Sequence, residues 1–329
     1  MEYKKKVFAL SCAVVILSLV YAATLVFDPA RRGARADVYT WLDPRATDGI
    51  ARIVFTLPAA YLPPGAPETV VLSRNGSAWY VLRRGGRYPA RRQRVEDFLA
   101  ELTTRAPFPV ISTNAAAHER LALTPDDAAR VTVSGVMGPP LLDMLLGHND
   151  PSGRNVYLRR ADRNEARSGR DRFSDFVWGE RRSWYNLSLF PGSDEGIVPD
   201  VTSLAMFPPA AGGETGPLVF TRVPGPWEAV WNVNFDLEAV NQARVNAFVR
   251  DVLMSVGEDF ADARAAPDAA FDDSRLVLEL AGGGTVAIGF TAPDGDERRL
   301  ASVSGTDIVY VVSGWMHRRL FPAAGTFGL

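Results

Sequence analysis

At 329 residues the chain is long enough for two ordinary domains, each with its own core. Hydrophobic residues make up 47% of it and charged residues 22%, a balance that excludes an intrinsically disordered chain. The net charge of −2 disfavours nucleic acid as a partner. The charged residues are, however, unevenly distributed along the chain. Residues 48–191 carry 20 Lys and Arg against 15 Asp and Glu, whereas residues 192–329 carry 9 against 19.

The N-terminal segment predicts a membrane anchor. Val7 to Phe27 contains 21 residues without a charge and follows Lys4, Lys5 and Lys6. As a helix this run would be roughly 30 Å long, which matches the hydrocarbon core of a bilayer. A signal peptide cleaved after Ala22 is the alternative. We favour the uncleaved anchor, because the apolar run continues past that site.

The anchor also predicts where the rest of the chain lies. Lysines precede the apolar run and arginines follow it, so the positive-inside rule gives only a slight preference for one membrane orientation. A short cationic N-terminus before a single apolar span is typical of proteins whose large domain is exported. We therefore expect a single-pass protein of the bacterial inner membrane, with most of the chain extracytoplasmic. The single cysteine, Cys12, lies within the anchor, so no intrachain disulfide is possible.

After a linker at residues 29–49, the first predicted module covers residues 50–191. It opens with a strand at Ile50–Leu57. Val70–Ser73 and Trp79–Leu82 flank Asn75-Gly76 and predict a hairpin, because both turn residues tolerate positive φ. Apolar residues fall on one face of Pro89–Thr104, which predicts a helix. We predict four more strands: Val131–Ser134, Leu141–Leu146, Val156–Arg160 and Phe173–Trp178.

The second predicted module covers residues 192–329 and repeats this order. Val201–Phe207 corresponds to the opening strand, and Leu218–Thr221 with Trp227–Val233 corresponds to the hairpin. The main helix is predicted at Leu237–Met254. Further strands are predicted at Leu276–Leu280, Thr285–Ile288 and Thr306–Val312. Gly289 falls where Gly147 falls in the first module, directly after the second strand of a pair.

Three landmarks recur in the same order and predict a duplication. Trp184-Tyr-Asn-Leu-Ser-Leu-Phe-Pro191 returns as Trp315-Met-His-Arg-Arg-Leu-Phe-Pro322. Trp79 and Trp227 each follow an arginine after the same gap, and the helix residues that follow Arg94 match those that follow Arg244. We expect the recurring tryptophans to lie in the core. The fold class predicted is α+β: two tandem, mostly antiparallel sheet modules, each with one main helix, after an N-terminal transmembrane helix occupying residues 1–28.

The Trp79 hairpin, the helix beginning near Tyr88-Pro89 and the corner from Leu121 to Asp126 resemble a bacterial family, domain of unknown function 4340. The resemblance covers roughly residues 68–191 and, more faintly, 217–322. It implies a membrane-anchored accessory component encoded beside ABC transporter subunits of the gliding-motility type. The family has no assigned catalytic residues, so the resemblance carries none to this chain. The second module lacks the Tyr-Pro and the corner.

Motifs for chemistry are not found. His118, His148 and His317 are far apart in sequence and match no metal-ligand spacing, and no phosphate-binding loop or nucleophile elbow is present. We therefore predict no catalytic residues, no metal site and no cofactor. Gly282-Gly283-Gly284 connects two predicted strands and indicates a turn, because a phosphate loop would lead into a helix.

Two groups of arginines are the candidate binding residues. Anionic lipid headgroups, an anionic polymer or an acidic partner would suit them, and solvated faces with scattered ion pairs are the alternative. The first group is Arg83, Arg84, Arg87, Arg91, Arg92 and Arg94, and the second is Arg159, Arg160, Arg163, Arg167, Arg170 and Arg172.

Three hypotheses about function follow. The first is a membrane-anchored accessory protein that binds an ABC-2-type permease or another envelope protein. The second is an envelope enzyme acting on glycan or lipid through two close carboxylates in a cleft. The third is a scaffold that binds an anionic ligand through the arginines, with salt-sensitive binding.

Overall fold

The computed structural model of the protein describes residues 17–18, 37–62, 69–83, 86–190, 200–209, 216–225, 229–261 and 269–328. Within these ranges the chain is mostly antiparallel β-sheet with few helices, which confirms a sheet-rich α+β class. None of the helices in these ranges has the length and apolar character needed to cross a bilayer. Apart from Leu17 and Ser18, the predicted anchor at Val7–Phe27 lies outside the described residues.

The first eleven strands form a two-stranded and a nine-stranded sheet. The small sheet pairs β1 with β6, and the large one has the order β5-β4-β3-β2-β8-β9-β10-β11-β7. Their bounds are β1 Val38–Tyr39, β2 Ile50–Thr56, β3 Thr69–Asn75, β4 Ala78–Arg83, β5 Gly86–Pro89, β6 Ala106–Pro107, β7 Val110–Ser112, β8 Ala129–Gly135, β9 Leu142–Asn149, β10 Asn155–Arg160 and β11 Ala166–Arg170.

The remaining strands form an eight-stranded sheet in the order β14-β13-β12-β16-β17-β18-β19-β15. Their bounds are β12 Val201–Phe207, β13 Leu218–Val223, β14 Val230–Val233, β15 Asp259–Phe260, β16 Ser274–Leu280, β17 Thr285–Phe290, β18 Arg299–Val303 and β19 Val309–Val312. The order β4-β3-β2-β8-β9-β10-β11-β7 in the nine-stranded sheet corresponds strand by strand to β14-β13-β12-β16-β17-β18-β19-β15 in the eight-stranded sheet. Strand β5 has no counterpart among the described residues of the second sheet.

Within the described ranges, the α-helices with defined bounds are α1 Arg92–Thr103, α2 Ser174–Val177, α3 Gln242–Leu253 and α4 Gly314–Leu320. Short 3-10 turns occur at Pro44–Gly49, Ala59–Tyr61, Ala115–Ala117, Arg181–Trp184 and Ala324–Phe327. Helix α1 buries Phe98 against Phe55 of β2, with ring centroids 5.1 Å apart. Helix α3 buries Phe248, which packs 5.7 Å from Phe220 of β13. The predicted apolar faces of both helices are therefore confirmed.

The predicted hairpin at Asn75-Gly76 is also confirmed, and Gly76 takes a φ of +62° at its turn. The strand predicted at Phe173–Trp178 is wrong, because this stretch forms the single helical turn α2. Phe173 and Val177, four residues apart as on one face of a helix, are both almost fully buried in the core. The strand that precedes α2 is β11, Ala166–Arg170. It includes only one apolar side chain, so no alternation of apolar and polar residues predicted it.

The recurring tryptophans do not share one environment. Trp79 is 6% exposed and Trp184 1%, as predicted, but Trp315 is 59% exposed on α4, so its predicted core role is wrong. Trp227 lies outside the described residues. Trp231, 5% exposed, is the second residue of β14, as Trp79 is of β4. In strand position Trp231 therefore corresponds to Trp79, and the four-residue spacing from arginine does not identify it.

By contacts the chain divides into two compact units, Met1–Val71 with Glu96–Gly179, and Leu72–Val95 with Glu180–Leu329. Two of the three boundaries fall inside β3 and α1, and the third follows Gly179. In the first unit, Leu42 of the chain leading into β2 donates its backbone N–H to the carbonyl of Leu102 in α1. In the second, strands β4 and β5 belong with the residues that follow Gly179. The predicted module boundaries at residues 50–191 and 192–329 describe a repeat in sequence and stay a prediction.

Candidate ligand-binding groove

A groove of about 350 Å³ lies entirely within the second unit. Three stretches of chain contribute to it: the start of α1, the residues around Tyr185, and the residues that follow α3. We call it the arginine groove, and it is lined by Arg91, Gln93, Arg182, Tyr185, Asn186, Leu187, Ser188, Met254, Val256 and Gly257.

Backbone pairing on both sides of residues 184–189 builds the groove. On one side, Asn186 donates its N–H to the carbonyl of Pro89 at 2.9 Å, and Arg91 donates to Trp184 at 2.8 Å. On the other side, Gly257 donates to Leu187 at 2.8 Å. The segment thus acts as a short connecting strand. These bonds satisfy the backbone groups and fix the path of the main chain from which the groove side chains project.

The walls of the groove combine positive charge with exposed apolar surface. The side chains of Arg91 and Arg182 are exposed. Met254 is 52% exposed and Val256 45%, which places both among the large apolar side chains left to solvent. Exposed methionine and valine beside arginine are unfavourable in water, because apolar surface gains free energy when it is removed from solvent. The arrangement therefore suits a ligand that has both an anionic and an apolar part.

One carboxylate moderates the charge beside the groove. Asp259 accepts from Arg83 at 3.1 Å and lies 3.9 Å from Arg182. Burial lowers the pKa of Arg181, and the neighbouring Tyr185 and Asp259 oppose that shift. Two of these cations therefore share a single anion, and Arg91 lies on the groove in addition to them.

Tyr185 lies beneath the groove with its hydroxyl group buried and without a hydrogen-bond partner. The residue is only 4% exposed. Burial raises the pKa of this phenol, although Arg181 and Arg83 act in the opposite direction. Its ring packs edge-on against Phe260 at 5.2 Å, and Phe260 stacks on Tyr88 at 4.6 Å. A buried hydroxyl without a partner carries a desolvation cost in the folded protein.

The first predicted arginine group is divided by the structure. Arg91 lines the groove, Arg83 pairs with Asp259, and Arg87 is exposed on β5 away from the groove lining. The guanidinium of Arg94 lies 5.1 Å from the ring centroid of the buried Trp184, and Arg84 is outside the described residues. Sequence reasoning missed Arg182, Tyr185, Met254 and Val256. Nothing in their local pattern indicates that they meet.

The second predicted arginine group has a structural role in part. Arg159 is 8% exposed and donates to the carbonyl groups of Leu123, Arg160, Ala161 and Arg163 at 3.0 to 3.2 Å. Burial lowers the pKa of this guanidinium.

Other members of that group also contact protein groups. Arg167 donates to the carbonyl of Phe108 at 2.8 Å and stacks over Tyr39, and Arg172 pairs with Glu101 at 3.0 Å. Arg160 donates to the carbonyl of Trp41 at 3.4 Å. These arginines hold loops and strands together. They are not arranged as one ligand-binding surface.

The three histidines lie in separate environments. His118 is within 3.0 Å of the carbonyl of Asn164, His148 is within 2.7 Å of the Tyr61 hydroxyl, and His317 is buried against Ser274. Among the described residues no three His, Cys, Asp or Glu side chains are grouped so that they could hold a metal ion.

Two other cavities contain carboxylates that are paired with arginine. One, of about 280 Å³, includes Asp200, which pairs with Arg222. The other, of about 660 Å³, includes Asp294, which lies 3.8 Å from Arg298. Each of these cavities has a single carboxylate among its lining residues, so neither offers two carboxylates side by side.

Comparison of the chain with protein-family models, with curated proteins and with solved structures finds no match in any of the three.

Proposed function

We propose that the protein is a membrane-anchored, extracytoplasmic accessory protein that acts by binding, in association with an ABC-2-type transporter of the gliding-motility kind. The anchor prediction and the resemblance to domain of unknown function 4340 support the location and the type of partner. The arginine groove supports a binding role.

One observation carries the proposal. Arg91 and Arg182 lie in the same groove as Met254 and Val256, and all four side chains are exposed. Arginine binds carboxylates through paired N–H groups and is enriched, with methionine, at the buried centres of protein interfaces. The partner segment that fits is acidic and apolar, for example a carboxylate side chain next to a large aliphatic one. Binding would remove the two apolar side chains from water and pair the two cations.

We also propose that the two large sheets are copies of one ancestral unit, with modules at residues 50–191 and 192–329. The shared strand order supports this proposal. So do the matching helix positions and faces, since Val95 and Phe98 of α1 correspond to Val245 and Phe248 of α3 and all are buried. A further support is Gly147 of β9 and Gly289 of β17, which both lie against a backbone carbonyl of another segment.

The binding role is tested by co-purification of the full chain in mild detergent from its native membrane. We expect the wild type to recover transporter subunits and the Arg91→Glu/Arg182→Glu variant to lose them. Arg87→Glu is the matched control, because Arg87 belongs to the same arginine-rich stretch and is exposed but does not line the groove.

Two results would count against the proposal in different ways. Repeated recovery of the wild-type protein alone would remove the accessory role. Recovery of the same subunits by the groove variant and by the wild type would leave the accessory role but exclude the groove as its binding site.

A small anionic ligand is the second candidate, because the groove volume of about 350 Å³ lies near the lower end of small-molecule sites, roughly 300–1,000 Å³. Binding would weaken as salt increases. Reversal of Arg91 and Arg182 is the informative variant here. Reversal of Arg83 is less informative, since Arg83 already pairs with Asp259 and its loss would also unbalance that carboxylate.

A further inference from the structure

We propose that the loop of residues 136–141, between β8 and β9, contacts the lipid bilayer directly and acts as a second membrane attachment. This inference rests on the proposed membrane anchoring. We call these residues, Val136-Met137-Gly138-Pro139-Pro140-Leu141, the apolar tip.

The composition and exposure of the apolar tip are unusual for a turn in water. All six residues are exposed, and none carries a charge or a polar side chain. Val136 is 85% exposed and Met137 89%, the highest values among the exposed large hydrophobic residues of the described chain. Gly138, Pro139 and Pro140 are ordinary turn residues, so the unusual feature of the tip is the exposure of Val136, Met137 and Leu141. Contiguous exposed apolar side chains typically mark a site of contact with protein or membrane.

The backbone of the tip also suits an apolar medium. Pro139 and Pro140 have no N–H group, and Leu141 donates its N–H to the carbonyl of Val133 at 2.8 Å. Three of the six tip residues therefore have no backbone N–H group that would lose a hydrogen bond to water on entering lipid. Gly138, with a φ of +94°, allows the sharp turn without a strained side chain. Insertion into the interface of a bilayer would thus expose few unsatisfied polar groups to lipid.

The position of the tip in the first unit makes lipid the favoured partner. Gly135, which precedes it, pairs with Ile50 at the start of β2, and the linker ends at Gly49 beside the same residue. Exposed side chains of both signs lead to this end of the sheet: Asp43, Arg45 and Asp48 in the linker, and Arg52 in β2. Of these, the two arginines would pair with the anionic headgroups of a membrane surface.

The predicted anchor limits how far this unit lies from the bilayer. Phe27, the last residue of the apolar run, and Asp37, the first residue of the unit's continuous described chain, are ten residues apart. Fully extended, that segment spans at most about 35 Å. The tether thus keeps the first unit within about one domain diameter of the bilayer, so an apolar tip on that unit meets lipid at a high effective concentration.

The test places an environment-sensitive fluorophore on the tip of the full chain. In a Cys12→Ala background, Met137→Cys is labelled with a nitrobenzoxadiazole dye, and the protein is reconstituted alone into vesicles of phosphatidylethanolamine and phosphatidylglycerol. The matched control is Arg154→Cys. Arg154 is exposed in the turn after β9, at the other end of that strand, about 25 Å from the tip.

We expect the dye at position 137 to emit at shorter wavelength than the dye at position 154. Lipids that carry a doxyl group near the headgroup should quench the dye at position 137 several-fold more strongly than the dye at position 154. Equal, water-like emission at both positions would overturn the inference. Short-wavelength emission at position 137 without quenching by doxyl lipid would also overturn it, because the tip would then be covered by protein, a second copy included.

Carbonate extraction of the same vesicles separates this inference from the proposed anchoring. Protein that resists extraction but has a water-exposed tip retains the anchor and loses the lipid contact. Protein that is extracted has no anchor, and both proposals then fail.

Discussion

The imidazole Nε2 of His317 lies 2.8 Å from the hydroxyl of Ser274, and both residues are almost completely buried. His317 belongs to α4 and Ser274 opens β16, so this bond joins the last helix to the sheet that it covers. The imidazole also stacks on Phe321 at 4.6 Å and meets Phe290 edge-on at 5.3 Å. Burial, and next the nearby Arg299, lowers its pKa from 6.5 to about 4.

Stability should therefore fall in mild acid. The unfolded chain takes up a proton at His317 near pH 6.5, whereas the folded chain resists it until about pH 4. The contribution is fully present above pH 6.5 and is lost as the pH falls towards 4, by roughly 3 kcal/mol in total. We expect chemical denaturation of the detergent-solubilised chain between pH 7 and 4 to show this loss.

His317→Gln should reduce that pH dependence, since glutamine does not titrate, although its stability at pH 7 will be lower than that of the wild type. His148→Gln is the matched control, because His148 is exposed. An unchanged pH profile in His317→Gln would show that another group is responsible.

Tyr185→Phe should leave the free energy of unfolding unchanged or raise it by about 1 kcal/mol. The hydroxyl removed is buried and has no hydrogen-bond partner, so its loss removes a desolvation cost without breaking a bond. If the hydroxyl contacts the ligand of the arginine groove, the same variant should bind that ligand more weakly. Thermal unfolding and ligand titration measure the two effects separately. Marked destabilisation would mean that the hydroxyl already has a partner in the free protein.

Arg159→Met should destabilise the protein by roughly 3 kcal/mol, because four carbonyl groups lose their buried donor. Arg159→Lys should recover only part of that loss, since an ammonium group cannot reproduce the planar set of N–H donors. The control is Arg170→Lys, at an exposed position of β11, with little expected change. Denaturant titration gives the differences. Equal stability of the lysine variant and the wild type would contradict the role of guanidinium geometry.

Gly289→Ala should destabilise the chain by about 1–3 kcal/mol, as overpacking typically does. A Cβ atom at this position would lie 2.5 Å from the backbone oxygen of Phe271, which cannot move away as a flexible side chain could. Gly147→Ala should have a similar effect, because its Cβ would lie 2.5 Å from the carbonyl oxygen of Leu121.

Gly284→Ala is the matched control for both glycines, since its nearest neighbour is the Leu280 side chain at 3.8 Å. The melting temperatures of the three variants measure this difference in stability. If Gly289→Ala melts with the control, the segment at Phe271 is free to shift.

Local patterns in the sequence determined much of the secondary structure. Alternating apolar residues placed strands such as β12, Asn75-Gly76 placed a hairpin, and the spacing of Val95, Phe98 and Leu102 placed α1. These signals work because the periods of strands and helices differ and because turn residues have local conformational preferences. The same patterns could not distinguish Phe173–Trp178 from a strand, since one helical turn is too short to establish a period.

The tertiary structure alone decided which residues meet. The arginine groove joins residues near 91, 185 and 256, and no local pattern specifies which of them become neighbours. Arg83 and Arg159 both belong to arginine-rich stretches of the sequence. In the structure Arg83 pairs with the carboxylate of Asp259, whereas Arg159 is buried and donates to carbonyl groups. Trp184 and Trp315 share a motif, but only Trp184 faces a core. Burial and partner choice depend on which surfaces the folded chain covers, and that is a property of packing across long sequence separations.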